Sequence, residues 1–71
     1  MELTINEKIK ILQSRLDFWK NSLNEMQSFN KQISESGNLL KINMNNKKME
    51  NARNIIDFLE QEMISLQNSL L

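Results

Sequence analysis

Carboxylates are the main side chains available for acid–base chemistry in this sequence, because histidine, cysteine and tyrosine are all absent. Glu60 and Glu62 are close in sequence, but residues two apart on a helix point to different sides. Glu7 is better explained as part of a helix cap. Other carboxylates fall at helix positions that we expect to be solvated: Asp17, Glu25, Glu50 and Asp57. We therefore predict no catalytic residues and no enzymatic activity.

Metal and cofactor sites lack their usual residues. Without cysteine and histidine, disulfides and the common zinc sites are excluded. The single glycine cannot form a glycine-rich phosphate loop, and no oxygen-rich loop resembles a calcium site. We therefore predict no metal, no cofactor and no small-molecule substrate.

The charge pattern argues against nucleic acid as the main partner. Nine basic and nine acidic residues cancel, whereas a nucleic-acid binder usually carries a basic stripe. A loose basic patch near the middle of the chain is diluted by Glu25, Glu35 and Glu50, and its members are Lys20, Lys31, Lys47, Lys48 and Arg53. A nucleic-acid-associated role is the weakest of the binding alternatives.

The length of 71 residues allows one domain, spanning residues 1–71. A chain this short has marginal stability unless disulfides, metals or partners help, and only partner chains remain. No apolar stretch approaches the length of a membrane span, and the first residues lack a signal-peptide pattern. We therefore expect an intracellular protein with no membrane partner, stabilised by other protein chains or by copies of itself.

The first half of the sequence predicts a long helix over residues 4–34. Thr4-Ile5-Asn6-Glu7 has the pattern of a capping box, which marks a helix start. Apolar residues then follow alternating spacings of four and three, as at core positions a and d of a coiled coil. These positions are Ile5, Ile9, Leu12, Leu16, Trp19, Leu23, Met26, Asn30 and Ile33, with Asn30 the one polar member.

The second half predicts a matching helix over residues 42–70, after a reversal at about residues 34–41. Ser36-Gly37-Asn38 is the only turn signal, because Gly37 can adopt the left-handed conformation and Asn38 can cap or turn. The second set of core positions has the same spacing and comprises Ile42, Asn45, Met49, Ala52, Ile56, Leu59, Met63, Leu66 and Leu70.

The two sets of core positions match in an antiparallel register. Every core residue of one segment faces one of the other if facing residue numbers add up to 75. Asn30 then faces Asn45, and we predict that the two amides satisfy each other. The alternative is a long helix in a parallel homodimer or larger bundle, which places Gly37 mid-helix at a cost of about 1 kcal/mol. We therefore predict an all-α fold, an antiparallel two-helix hairpin resembling a coiled coil.

Several large apolar residues lie outside the core positions. One interpretation is that they rim the hairpin core, as exposed apolar residues often do. The other is a second interface, by which the hairpin completes a bundle with a second copy or a partner chain. The predicted protein-interface residues are Ile11, Phe18, Phe29, Ile55, Phe58 and Ile64.

The segment Glu7–Trp19, EKIKILQSRLDFW, resembles the opening of small helical-hairpin proteins encoded by tailed bacteriophages. In those proteins a pattern like E-K-I-x-x-L-x-x-R-L-x-F-W begins the first helix. The resemblance covers this part of the first segment and implies a viral origin. It therefore implies a location in the host cytoplasm or in the virion.

Three functions remain open from the sequence. The leading hypothesis is a small structural or accessory protein, viral in origin, that packs against other protein subunits through its helix faces, for example in a virion. The second is a phage-encoded regulatory binder or inhibitor that occupies a groove on a host protein. The third is a small nucleic-acid-associated protein.

Overall fold

The computed structural model describes residues 2–71 and consists of two long helices. Helix α1 spans Ile5–Ser36 and helix α2 spans Leu39–Asn68, with no strand among the described residues. The helices pack against each other along their length in a body measuring 50 × 20 × 14 Å. The predicted all-α helical hairpin is confirmed.

Helix α1 begins with the predicted capping box. The Thr4 hydroxyl accepts the backbone N–H of Glu7 at 3.1 Å, and Glu7 Oε1 accepts the backbone N–H of Thr4 at 3.2 Å. Thr4 itself has an extended backbone, so it is the N-cap. The helix therefore starts at Ile5, one residue later than predicted, because the capping residue lies outside the helix.

The turn between the helices is tighter than the predicted span of residues 34–41. Gly37 has φ 72° and ψ 15°, the left-handed conformation that ends α1, and its N–H donates to Ser34 O. Asn38 immediately caps α2, because its side-chain oxygen accepts the N–H of Lys41 at 3.1 Å. Two adjacent caps leave no room for a longer loop, and α2 starts at Leu39 instead of residue 42.

Helix α2 ends at Asn68, before the predicted end at residue 70. The backbone N–H groups of Leu70 and Leu71 donate to carbonyls three residues earlier, instead of four as in an α-helix. The tighter turn that results ends the α-helix. Leu70 was expected to face Ile5, but its side chain is 53% exposed. The last core position that α2 actually buries, in part, is Leu66.

The core follows the predicted a and d positions. Leu16, Leu59 and Met63 form its centre, and the residues packed around them are Ile9, Leu12, Trp19, Ile55 and Ile56. Ala52 has no exposed surface, which shows how closely the helices approach there. Helix α1 ends at residue 36 and α2 begins at residue 39. Residues of the two helices that lie at the same distance from the turn, which we describe as at the same height, therefore have numbers that add up to about 75. This is the predicted register.

The two core asparagines do not satisfy each other as predicted. Asn45 is buried, and its Nδ2 donates to Met26 O across the hairpin at 2.8 Å and to Met49 Sδ at 3.5 Å. Asn30 Oδ1 is buried without a hydrogen-bond partner. The predicted amide pair is wrong because a main-chain carbonyl, one turn before Asn30, supplies the acceptor for Asn45.

Candidate interaction surface

The two long sides of the hairpin differ in chemistry. The heptad letters follow from Ile9 at position a of α1 and Ile42 at position a of α2. In a heptad, positions c and g flank d, whereas b and e flank a. In an antiparallel pair, the g positions of both helices lie on the same side of the core. We call the side formed by positions c and g the groove face, and the side formed by positions b and e the polar face. On the polar face, Lys20 Nζ lies 3.6 Å from Glu60 Oε1.

One groove opens at the end of the groove face that carries the chain termini. Its volume is ≈ 360 Å³, and its apolar floor is flanked by basic residues of α1 and one acidic residue of α2. Lys8 and Arg15 stand on one edge and Glu62 on the other. The remaining lining is apolar and comprises Leu3, Ile11, Leu12 and Leu66.

A second, smaller groove of ≈ 160 Å³ lies on the same face near the turn. Phe29 of α1 and Met44 of α2 form its apolar part, and their side chains are 47% and 54% exposed. Lys41 and Lys48 flank it, and Asn45 closes its base. Apolar surface is therefore present at both ends of the groove face.

Two phenylalanines occupy the centre of the groove face, between the grooves. Phe18 and Phe58 are each 63% exposed, and their residue numbers place them at nearly the same height on neighbouring helices. The Phe18 ring meets Trp19 edge to face, with centroids 5.5 Å apart and planes at 86°. This contact anchors Phe18 to the core residue beside it while most of its surface stays exposed.

The structure unites four of the six predicted interface residues on the groove face: Ile11, Phe18, Phe29 and Phe58. Ile55 also belongs to a g position but is half-buried and packs against the hairpin core, so it supports the face from beneath. Ile64 is exposed, but its b position lies on the other side of the core. Met44 was not among the predicted interface residues, although its c position would have placed it on the same face as Phe18 and Phe58.

The candidate carboxylates Glu60 and Glu62 lie on opposite faces of the hairpin. Glu60 pairs with Lys20 on the polar face while Glu62 lines the larger groove, so the two carboxylates point apart, as their spacing predicted. No group of three acidic or other metal-ligating side chains occurs in this part of the chain. Neither described helix is long and apolar enough to cross a membrane.

Comparisons with known proteins return no match: no family model, curated protein or solved structure corresponds to the chain. The groove face, its two grooves and the exposed phenylalanines between them are the candidate functional features.

Proposed function

We propose that this chain is a small, non-catalytic structural or accessory protein that packs against other protein subunits through its groove face. The observation that carries the proposal is the pair Phe18 and Phe58, largely exposed at the centre of a face with apolar grooves at both ends. Large aromatic side chains surrounded by charged groups are typical of the centre of a protein interface.

The exposed surface of the free hairpin supports this proposal. Its accessible area is 5666 Å², whereas a compact monomer of 8.4 kDa exposes about 4,600 Å². The excess of about 1,000 Å² arises because two helices bury only one stripe of each other. A subunit that covers the groove face removes apolar surface from water, at about 25 cal/mol per Å².

The proposed setting is a virus of the tailed-bacteriophage type, with the protein in the host cytoplasm or in the virion. The support is the resemblance of Glu7–Trp19 to the first helix of small phage hairpin proteins. A docking role for that segment is supported by the exposure of Ile11 and Phe18, whereas Leu12, Leu16 and Trp19 pack in the core. One segment therefore serves both folding and docking.

The second candidate is a regulatory binder that occupies a groove on a host protein. The observation that favours it is the compactness of the exposed aromatic centre, with Arg15 and Glu62 beside it as a polar rim. Such a centre resembles the few residues that supply most of the affinity in one-to-one complexes. A nucleic-acid role has less support, because Lys20, a member of the basic patch, is paired with Glu60.

The proposal is tested by replacing the aromatic centre. We expect Phe18→Asp combined with Phe58→Asp to keep the helical content of the hairpin and to abolish its association with other subunits. Ile64→Asp combined with Asn24→Asp is the matched control, because it adds the same charges at exposed positions off the groove face. Circular dichroism checks folding, and co-sedimentation with assembled particles from the source measures association.

The outcomes separate the candidates. A structural protein is recovered from particles in many copies, and the groove-face variant is lost from them while the control stays. A regulatory binder instead captures one host protein at fixed stoichiometry. If the groove-face variant is recovered from particles as efficiently as the wild type, the proposed docking surface is wrong. A nucleic-acid protein would show affinity that falls steeply as salt rises.

A further inference from the structure

We infer that the groove face binds the groove face of a second copy of this chain. The product is a four-helix bundle whose two-fold axis runs parallel to the long axis of the hairpin. The inference rests on the proposed function and names the partner. A two-fold rotation about the long axis keeps every residue at its own height and lays α1 of one copy over α2 of the other. Facing residues between the copies then again have numbers that add up to about 75.

The apolar residues of the face complement each other in this arrangement. Phe18 of one copy lies opposite Phe58 of the second copy, and the two-fold axis repeats the contact. Phe29 similarly lies opposite Met44 of the second copy, at the smaller groove. Exposed rings and thioethers therefore meet each other instead of charged groups, which is the requirement for a self-complementary interface.

Four charges of the face also complement each other between copies. Arg15 of one copy lies at the height of Glu62 of the second copy, and Glu25 lies at the height of Lys48. The basic residue of each of these two pairs thus meets an acidic one, and the axis doubles both pairs. Among the described residues, the ion pair formed within the hairpin is Lys20–Glu60 on the polar face, so these four charges remain available.

The competing two-fold arrangement, with the axis across the hairpin, lacks this complementarity. It lays α1 on α1 in opposite directions, and with Phe18 on the axis the facing residue numbers add up to 36. Ile11 then lies opposite Glu25, and Phe29 lies at about the height of Lys8. Apolar side chains would meet charged groups at both ends of the interface, which opposes association.

The area of the groove face suffices for a stable dimer. The hairpin extents of 50 × 20 Å give its broad side a footprint of about 1,000 Å², against about 800 Å² buried per partner in a standard protein interface. The free hairpin also exposes about 1,000 Å² more than a compact monomer of its mass. A second copy is therefore large enough to cover the groove face.

The first test is the mass of the purified chain in solution, measured by sedimentation equilibrium over a range of concentrations. We expect twice the chain mass of 8.4 kDa for the wild type and for Ile64→Asp with Asn24→Asp. We expect a helical monomer for Phe18→Asp with Phe58→Asp. A wild-type chain that stays monomeric up to its solubility limit would overturn the inference, whereas the proposed function would still be decided by particle association.

The orientation is tested with charge reversals placed on separate chains. Arg15→Glu alone and Glu62→Arg alone each create like-charged pairs in a homodimer, and we expect each to weaken dimerisation about tenfold. When the two variants are mixed, residues 15 and 62 of different chains carry opposite charges in the heterodimer and like charges in each homodimer. We therefore expect the heterodimer to predominate in native mass spectra. A statistical mixture of dimers would contradict the proposed register.

A spin label at Leu40→Cys gives an independent distance, since the chain has no other cysteine and Leu40 is 70% exposed near the turn. With the axis along the hairpin, both turns lie at the same end, and we expect the labels to be separated by less than half of the 50 Å hairpin length. Labels separated by about the full 50 Å would establish the crosswise arrangement and overturn ours.

Discussion

At the scale of single residues, the asparagines show how a buried amide chooses its partner. Asn45 reaches the carbonyl of Met26, whose position is set by the helix backbone, and leaves Asn30 Oδ1 without a partner. The main-chain carbonyl is already held in place by the helix, whereas the side chain of Asn30 would lose conformational entropy on forming the bond. The carbonyl therefore competes well with the Asn30 amide as the acceptor for Asn45. Asn45 thereby ties the two helices together at one height, as polar residues at core positions do in coiled coils.

We expect Asn30→Leu to raise the free energy of unfolding by about 1–2 kcal/mol, because it removes an unsatisfied buried oxygen and adds apolar surface to the core. Asn45→Leu is the matched control, and we expect it to stabilise less because it removes the hydrogen bond to Met26. Urea denaturation at fixed chain concentration measures both. A loss of stability in Asn30→Leu would show that its amide is satisfied in solution.

At the scale of elements, the turn determines how the helices meet. Gly37 ends α1 in the left-handed conformation and Asn38 caps α2 at the next residue. Since the turn has only two residues, it places residues 36 and 39 side by side and propagates that register along the hairpin. The local caps and the distant core pairs therefore favour the same alignment.

We expect Gly37→Ala to lower the free energy of unfolding by about 1–2 kcal/mol, because an alanine side chain disfavours the left-handed conformation. A Cβ atom at this position meets nothing within 4 Å, so the effect is conformational and not steric crowding. Gly37→Asn should lose less, because asparagine tolerates this conformation. Thermal and urea unfolding measure the series, and equal losses for both variants would contradict this explanation.

At the scale of the whole molecule, one long side of the hairpin carries an ion pair, and the other carries two grooves and two exposed phenylalanines. The Lys20–Glu60 pair lies on the polar face, while the exposed phenylalanines and both grooves lie on the groove face. The hairpin core is narrow, with no large side chain fully buried among the described residues. We therefore expect association through the groove face to contribute to folding stability as well as to function.

We expect the melting temperature of the wild type to rise with concentration, by about 5–10 °C for a hundredfold increase, because association stabilises the folded hairpin by mass action. Scanning calorimetry or circular dichroism over that range measures the shift. The melting temperature of Phe18→Asp with Phe58→Asp should be independent of concentration. A wild type that also shows no dependence would mean that its fold is stable without a partner.

The sequence by itself determined the helical hairpin, its capping box and its register, because heptad spacing, Thr4 with Glu7, and Gly37 act through local geometry and periodic burial. It also marked five of the eleven large apolar residues that are exposed in the described part of the chain, namely Ile11, Phe18, Phe29, Phe58 and Ile64. Only the tertiary structure decided that Asn45 bonds to Met26 and not to Asn30, that Ile55 packs into the core, and that α2 ends before Leu70. The first two outcomes depend on distances of a few ångströms across the hairpin, and the third depends on which carbonyls the last N–H groups of α2 reach. Residue spacing along one chain does not encode either.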